Sequence, residues 1–157
     1  TEEEDWDFLF DVNVKSMYLM TRAVLPMMLE AGKGAIVCTS SISAVYATPN
    51  EVLYDATKGA CHMFARAIAV EFRDRGIRCN AICPGFTDTD IIRDSVAKIV
   101  ETTGRTEEQA LSQFVSSNPQ GRLITPEEIA ETAVWLCIDG SDSITGQAIS
   151  VSGGEVM

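Results

Sequence analysis

The chain has 157 residues, of which 46% are hydrophobic, and this composition can bury the core of a single domain. Its formal net charge of −11 offers no basic surface to nucleic acid or to an anionic membrane, so we expect neither as a partner. No apolar run reaches the roughly 18 residues of a transmembrane helix, and the acidic residues 2–5 do not resemble the start of a signal peptide.

The first half of the chain predicts a long helix, a buried strand and a second long helix. Thr1 is a candidate N-cap for a helix over residues 1–31, which glycines then end. Residues 35–40 are apolar at their start and rich in β-branched side chains, which is typical of a strand covered on both faces. A loop then leads to a helix over residues 52–75, which ends at Gly76.

The second half predicts two more strands, over residues 77–83 and 147–151. The intervening segment, residues 86–118, is polar and irregular, with two short amphipathic stretches around 91–100 and 107–115. A helix with strong start signals follows, because Thr125 can cap it, proline comes next and a glutamate completes a capping box.

Helices and strands therefore alternate along the chain. Such alternation indicates βαβ units and a parallel sheet with helices on both faces. We predict an α/β fold in which residues 1–157 form one portion of a single domain with three strands. The predicted order starts with a helix that has no strand before it.

Five cysteines and one histidine give no sign of a disulfide framework or a metal site. The cysteines form no CxxC pair, and Cys79 and Cys83 lie too far apart along one strand to bridge easily. We expect reduced core thiols in a cytoplasmic protein. His62 lies in an apolar helical run without a partner at ligand spacing, so we predict no metal site.

Tyr54 and Lys58 are the most informative pair in the chain. They are four residues apart near the start of a predicted helix, so the phenol and the ammonium share one face. A tyrosine side chain has a pKa of about 10, and a fixed cation nearby stabilises the phenolate and lowers that pKa. The pair can form a general acid/base without histidine, although the same spacing also occurs on solvated helices.

Polar clusters follow all three predicted strands, at residues 39–41, 84–89 and 152–154. In open parallel sheets, ligands bind beyond the carboxyl ends of the strands. Ser41 lies 13 residues before Tyr54, and a loop of that length can return the chain to the same strand end. A serine hydroxyl and the phenol can then bind one carbonyl oxygen together.

Taken together, these residues resemble the short-chain dehydrogenases/reductases, NAD(P)-dependent oxidoreductases with a Rossmann-type, doubly wound parallel sheet. The resemblance covers essentially the whole chain, as the carboxyl-terminal half of such an enzyme. It depends on motifs that occur in order and at the family's spacing: Asn13 between two valines, Ser41, Tyr54-x-x-x-Lys58, Pro84-Gly85 with Thr89, and residues 145–154.

The resemblance implies a role for each of these residues. Tyr54 would be the acid/base, and Lys58 would lower its pKa and hold the nicotinamide ribose hydroxyls. Ser41 would orient and polarise the substrate carbonyl, and Asn13 would anchor a water that links Lys58 to solvent. The cofactor, NAD or NADP, would supply the hydride and contact Tyr54, Lys58, Pro84, Gly85, Thr87 and Thr89.

Simpler interpretations exist for each residue taken singly. Ser41 can cap a turn, Thr89 can cap a short helix, and Pro84-Gly85 can merely stop a strand. Asn13 can be a packing residue, but it shares a helix face with apolar side chains and would then need a hydrogen-bond partner. Those side chains are Leu9, Met17 and Met20.

The glycine-rich turn and the residue that selects NAD or NADP in this family have no counterpart in the chain. At about 30 residues for each βαβ unit, roughly 90 to 100 residues of the family's fold are missing. We therefore expect the 157-residue chain alone to bind nicotinamide cofactor poorly.

Residues 86–118 match the family's variable substrate lid. An apolar pocket is expected from Ile91, Ile92, Val96, Ile99, Leu111, Phe114 and Val115, with an opposite wall from Ser43, Val45, Tyr46 and Asn50. The substrate is expected to be a small carbonyl or alcohol, with 3-hydroxyacyl compounds as a weak analogy. Four basic residues fit solvated surface better than a phosphate site: Arg93, Lys98, Arg105 and Arg122.

Other functions fit less well. A sugar-nucleotide epimerase shares Tyr-x-x-x-Lys but appends a substrate domain, and a hydrolase would need a G-x-S-x-G elbow. A binding or assembly module without turnover remains open. The alanine-rich helix after Tyr54 and the methionine-rich first helix suggest a helix-on-helix contact between copies, as a homodimer or homotetramer.

Overall fold

A computed structural model describes residues 2–157, which form a three-stranded parallel sheet with helices packed against it. The strands are β1 (Gly34–Thr39), β2 (Ile77–Pro84) and β3 (Ala148–Val151). The helices are α1 (Glu3–Phe10), α2 (Ser16–Ala31), α3 (Val52–Phe72), α4 (Asp90–Thr103), α5 (Glu107–Val115) and α6 (Pro126–Cys137). The predicted α/β fold is therefore confirmed, and each strand lies within one residue of its expected bounds.

The sheet places the carboxyl ends of its three strands at one edge. β2 lies between β1 and β3 and pairs in parallel with both. In the register, Thr39 is opposite Ile82, and Ile82 is opposite Ile149. Because the strands run in the same direction, the polar segments that follow β1, β2 and β3 meet at this edge.

The predicted first helix is interrupted by a π-helical turn over Asp11–Lys15, which joins α1 to α2. Met20 was expected on the buried face but is 65% exposed, while Thr21 is buried. A π-turn holds more residues than an α-helical turn, so it rotates the residues that follow it about the helix axis. The predicted cap Thr1 lies outside the described residues; the N-cap is Glu2, whose backbone N–H donates to Asp5.

The main core consists of small side chains between α3 and the sheet. Its buried members are Cys38, Ala65, Ala69, Cys79 and Ala81. Small side chains allow a helix axis to lie close to the strands, and α3 packs along β2. The cysteines are free thiols as predicted, but the expectation that all are core residues is wrong, because Cys137 is exposed.

The segment predicted as polar and irregular contains two helices, α4 and α5, which share a small core. Ile92, Val96 and Ala110 are its buried residues. α6 then begins as predicted: Thr125 Oγ1 accepts from the Glu128 backbone N–H at 3.3 Å, and the Glu128 carboxylate accepts from the Thr125 N–H at 2.8 Å. Within residues 2–157, no helix combines the length and apolar character needed to cross a membrane.

Candidate active site

Ser41, Tyr54 and Lys58 come together at the carboxyl ends of β1 and β2. Ser41 follows β1 and begins a short turn, where its Oγ accepts from the Ser43 backbone N–H at 3.1 Å. Tyr54 and Lys58 lie one turn apart at the start of α3. Ser40 fixes α3 to β1, because its hydroxyl donates to the Lys58 carbonyl at 2.9 Å.

The Lys58 ammonium lies beside the Tyr54 ring rather than at its hydroxyl. Nζ is 5.5 Å from the ring centroid and donates to the Thr39 carbonyl at 3.2 Å. Burial lowers the pKa of the Lys58 ammonium. The ammonium therefore has one backbone partner, and two of its three N–H donors are without a partner among residues 2–157.

The pKa of Tyr54 is raised, chiefly because burial disfavours the phenolate. Hydrogen bonding with the Ser41 hydroxyl acts in the opposite direction, and the nearby carboxylate of Glu51 adds to the rise. The expectation that Lys58 would lower this pKa is wrong for the structure described. Lys58 is not among the groups that shift this pKa; its ammonium lies over the ring face and donates to the Thr39 carbonyl.

Asn13 contacts α3 through Thr57 and Cys61 instead of Lys58. Its Nδ2 donates to Thr57 Oγ1 at 3.0 Å, and Thr57 donates to the Tyr54 carbonyl at 2.8 Å. The Cys61 thiol donates to the Asn13 carbonyl at 3.2 Å, within the π-turn. Asn13 has the hydrogen-bond partner that its predicted position required. Thr57 was missed, although a threonine on the apolar side of α3 needs a polar partner.

The segment after β2 is held by backbone N–H and hydroxyl hydrogen bonds to backbone carbonyls. Gly85 N–H donates to the Val151 carbonyl at 3.0 Å, and Thr87 Oγ1 donates to the Gly85 carbonyl at 3.0 Å. Thr89 occupies the N-cap of α4, but its hydroxyl donates to the Thr87 carbonyl at 3.4 Å instead of capping the helix. Pro84, the last residue of β2, is half-buried beside these groups.

The two predicted walls of a substrate pocket do not line one common cavity among those found within residues 2–157. A cavity of about 650 Å³ between α4 and α5 is lined in part by Ile92, Val96 and Leu111, as expected. Four other residues predicted for this wall do not line the cavity: Ile91, Ile99, Phe114 and Val115. Ile91 is 76% exposed. On the opposite wall Asn50 adopts a φ of 69°, the left-handed conformation that asparagine tolerates better than most residues.

Two of the basic side chains in this region are paired with carboxylates. Arg93 contacts Asp88 at 2.6 Å and Asp90 at 3.3 Å. Arg122 binds both oxygens of Glu128, at 2.8 and 2.7 Å, and holds the pKa of that carboxyl at about 2. These pairs support the interpretation of the two arginines as surface charge.

The segment after β3 joins the site through the glycine pair that the sequence marked and through a glutamate that it did not. Gly153 and Gly154 both have positive φ, and a Cβ on Gly153 would lie 2.3 Å from Asn118 Oδ1. Glu155 follows this turn and accepts a hydrogen bond from the Ser117 hydroxyl. The pattern carried no signal for Glu155, since a carboxylate after Gly-Gly is indistinguishable from a solvated loop residue.

The chain is similar to known proteins over nearly its full length. The family profile described as Enoyl-(Acyl carrier protein) reductase matches residues 1–155. The chain is 39% identical to dehydrogenase/reductase SDR family member 6 of Danio rerio, covering 98% of this chain and 61% of that protein. It is 36% identical to the 3-oxoacyl-(acyl-carrier-protein) reductase FabG of Thermotoga maritima, covering 99% and 59%.

A solved structure shows the same arrangement of elements. The L-sorbose reductase of Gluconobacter frateurii, complexed with NADPH and L-sorbose, superposes with a TM-score of 0.93 at 30% identity. The match covers 99% of this chain and 60% of that one. The chain thus spans about three fifths of the length of the relatives it matches.

Proposed function

The chain belongs to the short-chain dehydrogenase/reductase family, and we propose that the intact protein is an NAD(P)-dependent oxidoreductase that interconverts a secondary alcohol and a ketone. The observation that carries this proposal is the convergence of Ser41, Tyr54 and Lys58 at one strand edge. A partly buried phenol, a hydroxyl and an ammonium together provide a proton donor, a carbonyl-orienting group and a fixed charge.

The residues at this edge fit a nicotinamide nucleotide. Lys58 Nζ uses one of its donors on the Thr39 carbonyl and can direct the others to ribose hydroxyls. Pro84, Gly85, Thr87 and Thr89 would form the surface against the nicotinamide end. When bound, the nicotinamide group supplies or accepts the hydride. The structure of L-sorbose reductase with NADPH supports this assignment by analogy.

The chain's own groups would move and orient the proton. Tyr54 with a raised pKa is protonated at neutral pH, so its hydroxyl can donate to a carbonyl oxygen that gains negative charge. Ser41 would donate to the same oxygen and fix its position. Asn13 and Thr57 would position Tyr54 through its backbone, because their hydrogen bonds connect the π-turn to the Tyr54 carbonyl.

A carbonyl panel tests the proposed function. The intact protein, incubated with NADH or NADPH, should oxidise the reduced cofactor in the presence of a 3-oxoacyl thioester or a ketose. These two substrates represent the relatives FabG and L-sorbose reductase. Absence of turnover with every carbonyl and both cofactors would favour a binding module instead.

Replacing Ser41 with alanine should move the pH dependence of alcohol oxidation to higher pH. Hydrogen bonding with the Ser41 hydroxyl lowers the pKa of Tyr54, so its removal raises that pKa further. Oxidation needs the phenolate, which then forms only at higher pH, while reduction needs the phenol and persists further into alkaline solution. The measurement is kcat against pH in both directions, with Ser143→Ala, an exposed serine outside the site, as the matched control. A shift of the oxidation profile to lower pH would contradict the role given to Ser41.

We also propose that the intact protein forms a homo-oligomer through α2 and α3. Several large apolar side chains on both helices are exposed, including Met20 at 65% and Met63 at 62%. Sedimentation should show Met63→Glu as a smaller species than the wild type. Ile91→Glu, at a similarly exposed position on α4, should leave the size unchanged. Equal sizes for all three proteins would exclude this face as the interface.

A further inference from the structure

Glu155 lies where three segments of the candidate site meet. Its Oε1 accepts from the Ser117 hydroxyl, at the end of the segment that contains α4 and α5. Its backbone N–H donates to the Ser152 carbonyl at 3.2 Å, which bends the chain after β3. Its Oε2 lies against Gly85, because a Cβ built on Gly85 would be 3.1 Å from that oxygen.

Oε2 of Glu155 is buried and has no hydrogen-bond partner among residues 2–157. Buried polar atoms in folded proteins are nearly always paired, because an unpaired one forgoes its hydration without compensation. A carboxylate oxygen is a strong acceptor and binds hydroxyl or N–H donors at short distance. Oε2 is therefore a hydrogen-bond acceptor in a fixed position that has no donor within the described part of the chain.

We propose that Glu155 determines substrate specificity by accepting a hydrogen bond from a substrate hydroxyl other than the one that reacts. This inference rests on the proposed function and narrows it to ketones that carry a further hydroxyl, and to the polyols that they form. A substrate with a carboxylate at the same position is rejected, because two like charges would lie together with little solvent between them.

The position of Glu155 favours a substrate contact. Gly85 belongs to the segment assigned to the nicotinamide end, and Ser117 belongs to the segment that matches a substrate lid. The carboxylate thus lies between the expected cofactor surface and the expected substrate cover. The hydrogen bond from Ser117 to Oε1 fixes the carboxylate, so Oε2 is oriented before any ligand binds.

A matched series of ketones tests this assignment in the intact protein: 2-hexanone, its monohydroxylated derivatives and 5-oxohexanoate. The wild type should prefer at least one hydroxylated ketone over 2-hexanone by about 10- to 100-fold in kcat/KM, as for a hydrogen bond to a charged group. Glu155→Met, of similar length but apolar, should abolish this preference. Glu155→Gln should retain part of it, and 5-oxohexanoate should be the poorest substrate of the wild type.

Two controls separate the specific role from a structural one. Glu108→Gln, which alters an exposed carboxylate of α5, should keep the wild-type preference. Thermal stability and the Kd for NAD(P)H should be unchanged in Glu155→Gln.

Turnover without preference for any hydroxylated ketone would overturn the inference and leave the proposed function standing. A changed cofactor Kd with unchanged selectivity would assign the oxygen to the cofactor and also overturn it. No turnover of any carbonyl would overturn both.

Discussion

Replacing Tyr54 with phenylalanine is expected to lower kcat for ketone reduction by a factor of about 10² to 10⁴. The phenol hydroxyl is the proposed proton donor, and phenylalanine keeps the ring but has no proton to give. The ring position itself should be retained, because it depends on α3 and on the contact with Lys58 Nζ at 5.5 Å from its centroid. We therefore expect the loss in kcat, with the Kd for NAD(P)H nearly unchanged.

The measurement is steady-state reduction of the best carbonyl found in the panel, together with a cofactor titration of the same variant. Tyr18→Phe is the matched control, since Tyr18 lies on α2, is 50% exposed and is absent from the candidate site. Its kcat should equal that of the wild type. If Tyr54→Phe retained more than about a tenth of the wild-type kcat, Tyr54 would not be the principal acid/base.

The sequence predicted the order of elements because local signals agree with the tertiary structure. Three local signals specify the same structure alone as in the folded chain: the glycines that end helices, the capping box at Thr125 and the apolar runs of the strands. The π-turn over residues 11–15 was not predictable, because an inserted residue leaves no change in composition. Its consequence, Thr21 inside and Met20 outside, follows from that single irregularity.

The candidate site was predictable as far as it depends on spacing. Tyr54 and Lys58 share a helix face whatever surrounds them, and the loop after Ser41 returns the chain to the same strand edge. Electrostatics was not predictable to the same degree, because the pKa of Tyr54 depends on burial that spacing does not reveal. Glu155 reaches the site only through tertiary packing against Gly85 and Ser117.

Gly76 is the position where a single methyl group should most disturb the fold. It has a φ of +75° at the turn between α3 and β2, and its carbonyl accepts from the Gly34 N–H at 3.0 Å. A Cβ at this position would lie 2.1 Å from the Gly32 carbonyl oxygen. That oxygen belongs to the backbone of the turn between α2 and β1, so it cannot rotate away as a side chain would.

Gly76→Ala is therefore expected to lower the free energy of unfolding by roughly 2 to 5 kcal/mol, the sum of left-handed strain and steric overlap. Gly104→Ala is the matched control, because Gly104 has a φ of +70° but nothing within 4 Å of its Cβ direction. Gly104→Ala should lower the free energy of unfolding only by the cost of the left-handed conformation, about 1 to 2 kcal/mol. Both replacements reduce the entropy of the unfolded chain alike, so the difference in urea denaturation isolates the contact between the two turns. Equal losses would show that the turn at Gly32 moves to accommodate the methyl group.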